Sequence, residues 1–236
     1  MANKTIASKK KKAEPELEVD EILSRSEQFI EKNKKSLLYG VIAVAAFVAI
    51  ILSYHYAYAV PLSERAEKSI FKGQMYFEMD SFALALYGNG FDYDGFETIV
   101  DQYGRTKTGN LAKAYAGICY YKLGDPHSAI KQLKSYKGKD DQFAPRVTGL
   151  IGDCYISTGD TNEGIRYFEK AAKQADDPNI SPIYLKKAGI AYESLKQYKD
   201  AIRVYTLIKE QYSVSMEASE IDKYISRAEF LSQGNN

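Results

Sequence analysis

The side chains that could attack a substrate, move a proton or hold a metal are few and scattered in this sequence. There are two cysteines and two histidines. Two cysteines exclude a dense disulfide framework and a four-cysteine zinc site. His55 lies at the edge of a long apolar run, and His127 follows Pro126 where a helix is expected to start. Neither has a nucleophile or a ligand at useful spacing. Asp140-Asp141 and Asp176-Asp177 are paired acids, but they fall between periodic segments. They are expected to be solvated turn residues rather than a metal site. No glycine-rich phosphate loop, HExxH string or paired acid–base motif stands out. Catalytic, cofactor-binding and metal-ligating residues are all expected to be none, and the chain is expected not to be an enzyme.

The elements that carry these residues repeat. Gly117, Gly152 and Gly189 lie 35 and 37 residues apart. Tyr120, Tyr155 and Tyr192 follow them by three; Ala129, Gly164 and Ala201 by twelve; Leu133, Phe168 and Tyr205 by sixteen. Gly124 and Gly159 stand at the intervening turn. Each position has a physical reason. A small residue is needed where two helices cross closely. The Tyr one turn on fills the space beside the crossing. Gly in the turn permits a left-handed cap. Ala or Gly early in the second helix admits the first helix, and the large residue four later packs on the same face.

The strings Ala-Gly-Ile-Cys-Tyr-Tyr-Lys-Leu-Gly-Asp (116–125), Ile-Gly-Asp-Cys-Tyr-Ile-Ser-Thr-Gly-Asp (151–160) and Ala-Gly-Ile-Ala-Tyr-Glu-Ser-Leu-Lys-Gln (188–197) resemble tetratricopeptide repeats. The resemblance implies an all-α chain folded as an α-solenoid, with units at 110–144, 145–181 and 182–215. Lys196 replaces the turn Gly in the third unit, the usual closing Pro is missing or displaced to Pro178, and the loop around Asp176 to Pro182 is longer. A degenerate first repeat is read at 61–109, from a stripe Ala66, Ile70, Gly73 and Phe77, a long turn with Gly88, Gly90 and Gly95, and a second helix through Phe96, Ile99, Val100 and Tyr103. Residues 216–231 read as a C-terminal capping helix, with Ile221, Tyr224, Ile225 and Ala228 on one face. Cys119 and Cys154 occupy equivalent positions of consecutive repeats. Stacked helices lie ~9–10 Å apart, and disulfides usually need Cα atoms within about 7 Å. Two separate, mostly buried thiols are expected.

Between Ser36 and Ser63 the sequence has 28 residues without Asp, Glu, Lys or Arg. About 20 helical residues cross a hydrocarbon core of about 30 Å, so a single N-terminal transmembrane helix is expected at 36–60, embedded in a lipid bilayer. Tyr39 near one end and Tyr54, Tyr56 and Tyr58 near the other suit the two interfaces. Lys32, Lys34 and Lys35 abut its N-terminal end, while Arg65 and Lys68 are balanced by Glu64 and Glu67 on the far side. The positive-inside rule then puts the N-terminus in the cytoplasm. Ala57-Tyr58-Ala59 has the pattern of a signal cleavage site, but the preceding polar region carries seven acids, unlike a signal peptide. An uncleaved anchor is expected. Residues 1–16 read as a disordered cytoplasmic tail. Residues 17–35 read as an amphipathic helix whose face, Val19, Ile22, Leu23, Ser26, Phe29 and Ile30, either docks on a partner or bilayer or merely leads into the anchor.

In this repeat class the first helix of each pair lines a concave surface for proteins or peptides. Transferring its exposed positions gives Leu111, Ala114, Ile118, Tyr121 and Lys122; then Arg146, Gly149, Asp153, Ile156 and Ser157; then Ile183, Lys186, Ile190, Glu193 and Ser194. Ile118, Ile156 and Ile190 serve either this groove or the packing between units. Net charge is only +1, which argues against a nucleic-acid partner. The whole arrangement resembles the YfgM-like ancillary subunits of the SecYEG translocon. That resemblance implies a single-pass protein of the bacterial inner membrane with a periplasmic repeat domain. Its implied partners are SecYEG and a membrane-anchored periplasmic chaperone or prolyl isomerase, with exported proteins handed on at the outer face. The alternative is an envelope scaffold for outer-membrane assembly, cell division or wall synthesis.

Overall fold

The computed structural model describes residues 29–234, which form two units divided after Tyr58. The tail at 1–16 and most of the expected amphipathic helix at 17–35 lie outside the described residues. In the first unit, α1 runs Lys34–Tyr54 and buries no side chain. Tyr39, Val41, Phe47 and Ile50 are each at least 65% exposed. Among the described residues it is the helix that is apolar and long enough to cross a membrane. A π-helical turn, His55–Ala59, follows it.

The second unit is helical throughout, with no strand among the described residues. It opens with α2 (Val60–Glu78), whose first turn contains Pro61, where a missing N–H costs nothing. Then come α3 (Phe82–Tyr87), α4 (Gly95–Tyr103), α5 (Lys107–Lys122), α6 (Pro126–Ser135), α7 (Phe143–Ser157), α8 (Thr161–Ala175), α9 (Ser181–Ser194), α10 (Tyr198–Gln211) and α11 (Ile221–Gln233). From α4 onward each helix packs chiefly on its sequence neighbours, as a solenoid requires. The capping helix α11 begins and ends later than the sequence pattern indicates.

Glycine sets the crossings. A Cβ at Gly117 would lie 2.5 Å from Leu133, at Gly152 2.7 Å from Phe168, and at Gly189 2.2 Å from Tyr205. The large residue sixteen positions on thus fills the space the missing side chain leaves. The turns share one geometry. The amides of Asp125, Asp160 and Gln197 donate to the carbonyls of Tyr120, Tyr155 and Tyr192, and those of Gly124, Gly159 and Lys196 donate to Tyr121, Ile156 and Glu193. This is the Schellman closure, with the central residue left-handed. Its φ is 85° at Gly124, 83° at Gly159 and 58° at Lys196. Lys196 therefore holds the glycine conformation without being glycine. Asp125 and Asp160 then accept from the amides of Ser128 and Glu163, capping the next helix.

The first repeat departs from the long turn expected within 61–109. The amides of Ser81 and Asp80 donate to the carbonyls of Tyr76 and Phe77, and Asp80 has φ 53°, so α2 closes in the same tight turn as the other first helices. The second helix is instead cut in two. α3 ends at Gly88, and the segment before Gly95 is folded around Asn89, whose Oδ1 accepts from the amides of Phe91, Asp92 and Tyr93. Tyr93 from the loop and Phe96 from beyond it together take the place over Gly73, where a Cβ would lie 2.2 Å from the Tyr93 hydroxyl and 2.5 Å from the Phe96 ring.

The turns can be tested by substitution. A Cβ added at Gly124 or Gly159 would meet nothing within 4 Å, so Gly→Ala there should cost only the left-handed penalty, about 1–2 kcal/mol each. Lys196→Gly should gain about 1 kcal/mol by removing that penalty. Urea unfolding of the full chain in detergent measures both. A loss on Lys196→Gly would contradict this account of the third turn.

Candidate functional site

The first helices α5, α7 and α9 carry the residues expected to bind partners. Several of their charges have inter-repeat partners. Lys187 donates to both carboxylate oxygens of Asp153 at 2.8 Å. Arg227 grips Glu193 through Nε and Nη2 at 2.9 and 2.8 Å. Lys186 pairs with Glu220. On the second helices Arg203 pairs with Glu169 at 2.6 Å. Every one of these pairs spans 34 residues, one repeat. Asp153, Lys186 and Glu193 are thus engaged in holding neighbouring units together, and Glu193 also accepts from the Tyr205 hydroxyl at 2.7 Å.

The remaining expected residues separate by exposure. Leu111, Ile118 and Tyr121 are half-buried and pack against the core. Burial, and next the Asp153 carboxylate, raise the Tyr121 phenol above its ordinary pKa. Ala114 and Gly149 are buried, which corrects the expectation that they face a partner. A Cβ at Gly149 would meet the Tyr184 ring at 2.0 Å, so that position seats the next repeat. Arg146 is exposed and turns back to donate to the Gln142 carbonyl at 2.9 Å. Lys122, also exposed, lies over the Phe82 ring at 5.8 Å. Ser157 and Ser194 bond to their own helices. Ile156, Ile183 and Ile190 are 38%, 41% and 45% exposed. They are apolar groups this face leaves partly open to solvent, with the tip of Ile156 also packed over Gly164 of α8.

Nothing in this face resembles a reacting centre. Cys119 and Cys154 are free and buried, and burial pushes both thiols up to about 12. Such thiols carry almost no thiolate at neutral pH. One acid of each pair is used by the backbone: Asp140 accepts from the amides of Gln142, Phe143 and Ala144, and Asp177 from those of Asn179 and Ile180. Among the described residues no three His, Cys, Asp or Glu side chains gather as metal ligands.

The tetratricopeptide-repeat family model matches residues 146–178, the α7–α8 pair. Two solved structures of kinesin light chain TPR-like repeats from Podosopora anserina, one of them a point variant, superpose with TM-scores of 0.52 and 0.53. Each is 12% identical to this chain, covering 73% of it and 88% of the solved chain. The fold is a tetratricopeptide-repeat-like solenoid. No curated protein sequence matches significantly. Tetratricopeptide-type solenoids generally serve as non-catalytic scaffolds for protein partners. Identity this low carries the fold and nothing finer.

Two outcomes follow for the repeats. At pH 8 both thiols should resist iodoacetamide in the folded chain and react together on unfolding, with no 119–154 bridge on a non-reducing gel. Rapid labelling of the folded chain would overturn this. Lys186, and next Lys223, hydrogen-bond to Glu220 and hold its carboxyl at about 2, below the ordinary 4.5. A depressed carboxyl contributes stability that is complete above about pH 4.5 and is lost as pH falls toward 2. Hydrogen exchange in α11, corrected for intrinsic rate, should therefore rise across that window. Glu220→Gln should abolish this part of the acid response; an unchanged response in the variant would refute the assignment.

Proposed function

We propose that this chain is a single-pass membrane protein whose repeats form an extracytoplasmic scaffold for other proteins, ancillary to the SecYEG translocon. The observation that carries the anchor is α1. Its 21 residues bury nothing in the protein, and ~31 Å of exposed apolar helix matches a hydrocarbon core. Water would solvate that surface poorly, at about 25 cal/mol per Å² of apolar area. The lysine-rich approach to α1 favours a cytoplasmic N-terminus and an extracytoplasmic solenoid.

The groove reading rests on Ile156, Ile183 and Ile190. With Asp153, Lys186 and Glu193 held in inter-repeat pairs, these side chains are the apolar anchors left for a peptide or loop. Apolar anchors supply affinity, and the polar groups around them set direction. Leu111, Ile118 and Tyr121 would then shape the floor of the groove, with Lys122 and Arg146 at its rim. An exported client or a membrane-anchored periplasmic chaperone fits such a surface.

Site-specific photocrosslinking in living cells tests the reading. Probes at Phe47 should capture channel subunits, and probes at Ile156 should capture chaperone or exported clients. Ile183→Asp with Ile190→Asp should reduce the groove captures about tenfold, with the fold kept because both side chains are exposed. Capture of wall-synthesis or outer-membrane assembly proteins in the groove, with nothing at Phe47, would replace the translocon reading by the envelope-scaffold one.

A further inference from the structure

The second-helix side of the two middle pairs carries a cluster that the groove does not use. Tyr155 and Tyr167 stack with ring centroids 5.4 Å apart. Lys134 of α6 lies 4.9 Å from the Tyr155 centroid and 5.5 Å from that of Tyr167. Arg166 and Lys170 of α8 lie 5.1 and 5.6 Å from the Tyr167 centroid. Lys134 donates to the Tyr155 hydroxyl and lies near that ring's hydroxyl edge; neither a neutral hydroxyl nor the quadrupole of a ring face removes net charge.

The C-terminal end of the solenoid contains the same construction with a different balance. Lys186, Lys223 and Arg227 surround the Tyr224 ring at 4.9, 5.1 and 4.8 Å. There every cation has a carboxylate: Glu220 serves both lysines, and Glu193 serves Arg227. At the Tyr155–Tyr167 pair Arg166 alone is served, by Glu163. Among the described residues Lys134 and Lys170 have no carboxylate within 4.0 Å, and Glu163 acts on Lys134 only as a more distant charge. Lys131 precedes Lys134 by one turn of α6, and Lys173 follows Lys170 by one turn of α8; both are exposed. Two short rows of cations thus border an aromatic strip, with too little counter-charge to match them.

We propose that this patch docks an acidic peptide segment of a partner protein. Its carboxylates would sit between Lys134 and Lys170 beside the Tyr167 ring. The cations are spread along two helices, which suits successive carboxylates on an extended chain. Compact phosphate sites use arginine forks or clustered backbone amides instead, and here the one arginine is already held by Glu163. The site is separate from the first-helix groove, so a partner here does not compete with one there.

Fluorescence anisotropy of a labelled octaglutamate peptide with the full chain in detergent micelles tests the proposal. The wild type should bind, and binding should weaken with added salt. Lys134→Gln with Lys170→Gln should weaken it about fivefold or more and flatten the salt dependence. Lys107→Gln with Lys199→Gln, the same charge change away from the patch, should leave it unaltered. Ile183→Asp with Ile190→Asp should also leave it unaltered, which separates this proposal from the groove. Equal loss in both lysine pairs would reduce the effect to net charge and overturn the site. Binding of inorganic phosphate or phosphatidylglycerol vesicles through Lys134 and Lys170, without peptide binding, would overturn the ligand class.

Discussion

Everything in the solenoid depends on how closely two helices can approach at one point per repeat. Gly117, Gly152 and Gly189 have no room for a Cβ against Leu133, Phe168 and Tyr205. Seven residues after each glycine the chain must turn left-handed, because the first helix has to end where its partner can fold back onto that crossing. Crossing and turn together fix the angle within each pair, and repetition then fixes the path of the array. A side chain added at a crossing would not merely lose a contact. It would push apart the two helices on which the next pair is stacked.

With the pairs fixed, ion pairs bridge one pair to the next. Asp153–Lys187, Glu193–Arg227, Lys186–Glu220 and Glu169–Arg203 each span one repeat. Single exposed pairs contribute little, about 0–1 kcal/mol. Their greater effect is on the character of the surface. On a first-helix face where apolar and charged groups stand side by side, Asp153, Lys186 and Glu193 are drawn into these pairs, while Ile156, Ile183, Ile190, Lys122 and Arg146 stay open. The Tyr155–Tyr167 patch differs because its lysines stand outside this pairing.

The three regular repeats are legible in the sequence because glycine, aromatic and turn positions recur at constant spacing. The first repeat is harder to read, although Gly73, Tyr76, Asp80 and Ala85 keep the spacing of Gly117, Tyr120, Gly124 and Ala129. The next position of the pattern falls on Asn89, which is polar, so the period breaks there. In the structure Tyr93 in an inserted loop and Phe96 beyond it supply the missing bulk. Spacing along the chain cannot show a residue arriving from outside the period. The groove is less legible for a related reason. Exposure is transferred one helix at a time, whereas the partners of Asp153, Lys186 and Glu193 come from the following repeat or the cap. Opposite charges 34 residues apart are the available signal.

The distribution of polar chemistry accords with the scaffold role that tetratricopeptide-type solenoids generally serve. Catalysis needs a reactive group held at a perturbed pKa and reachable by substrate. The thiols here are perturbed, but burial drives them away from the reactive form and leaves neither exposed to solvent. Of the acids that might have formed a site, Asp140 and Asp177 each have one carboxylate oxygen taken by backbone amides. What the fold leaves available is surface: exposed isoleucines on one set of helices and uncompensated lysines on the other. Two surfaces of different chemistry, on opposite helices of the same pairs, would, on the two proposals made above, let one array hold an apolar segment and an acidic segment at once. The one-dimensional stacking of helix pairs keeps these two sets of groups apart.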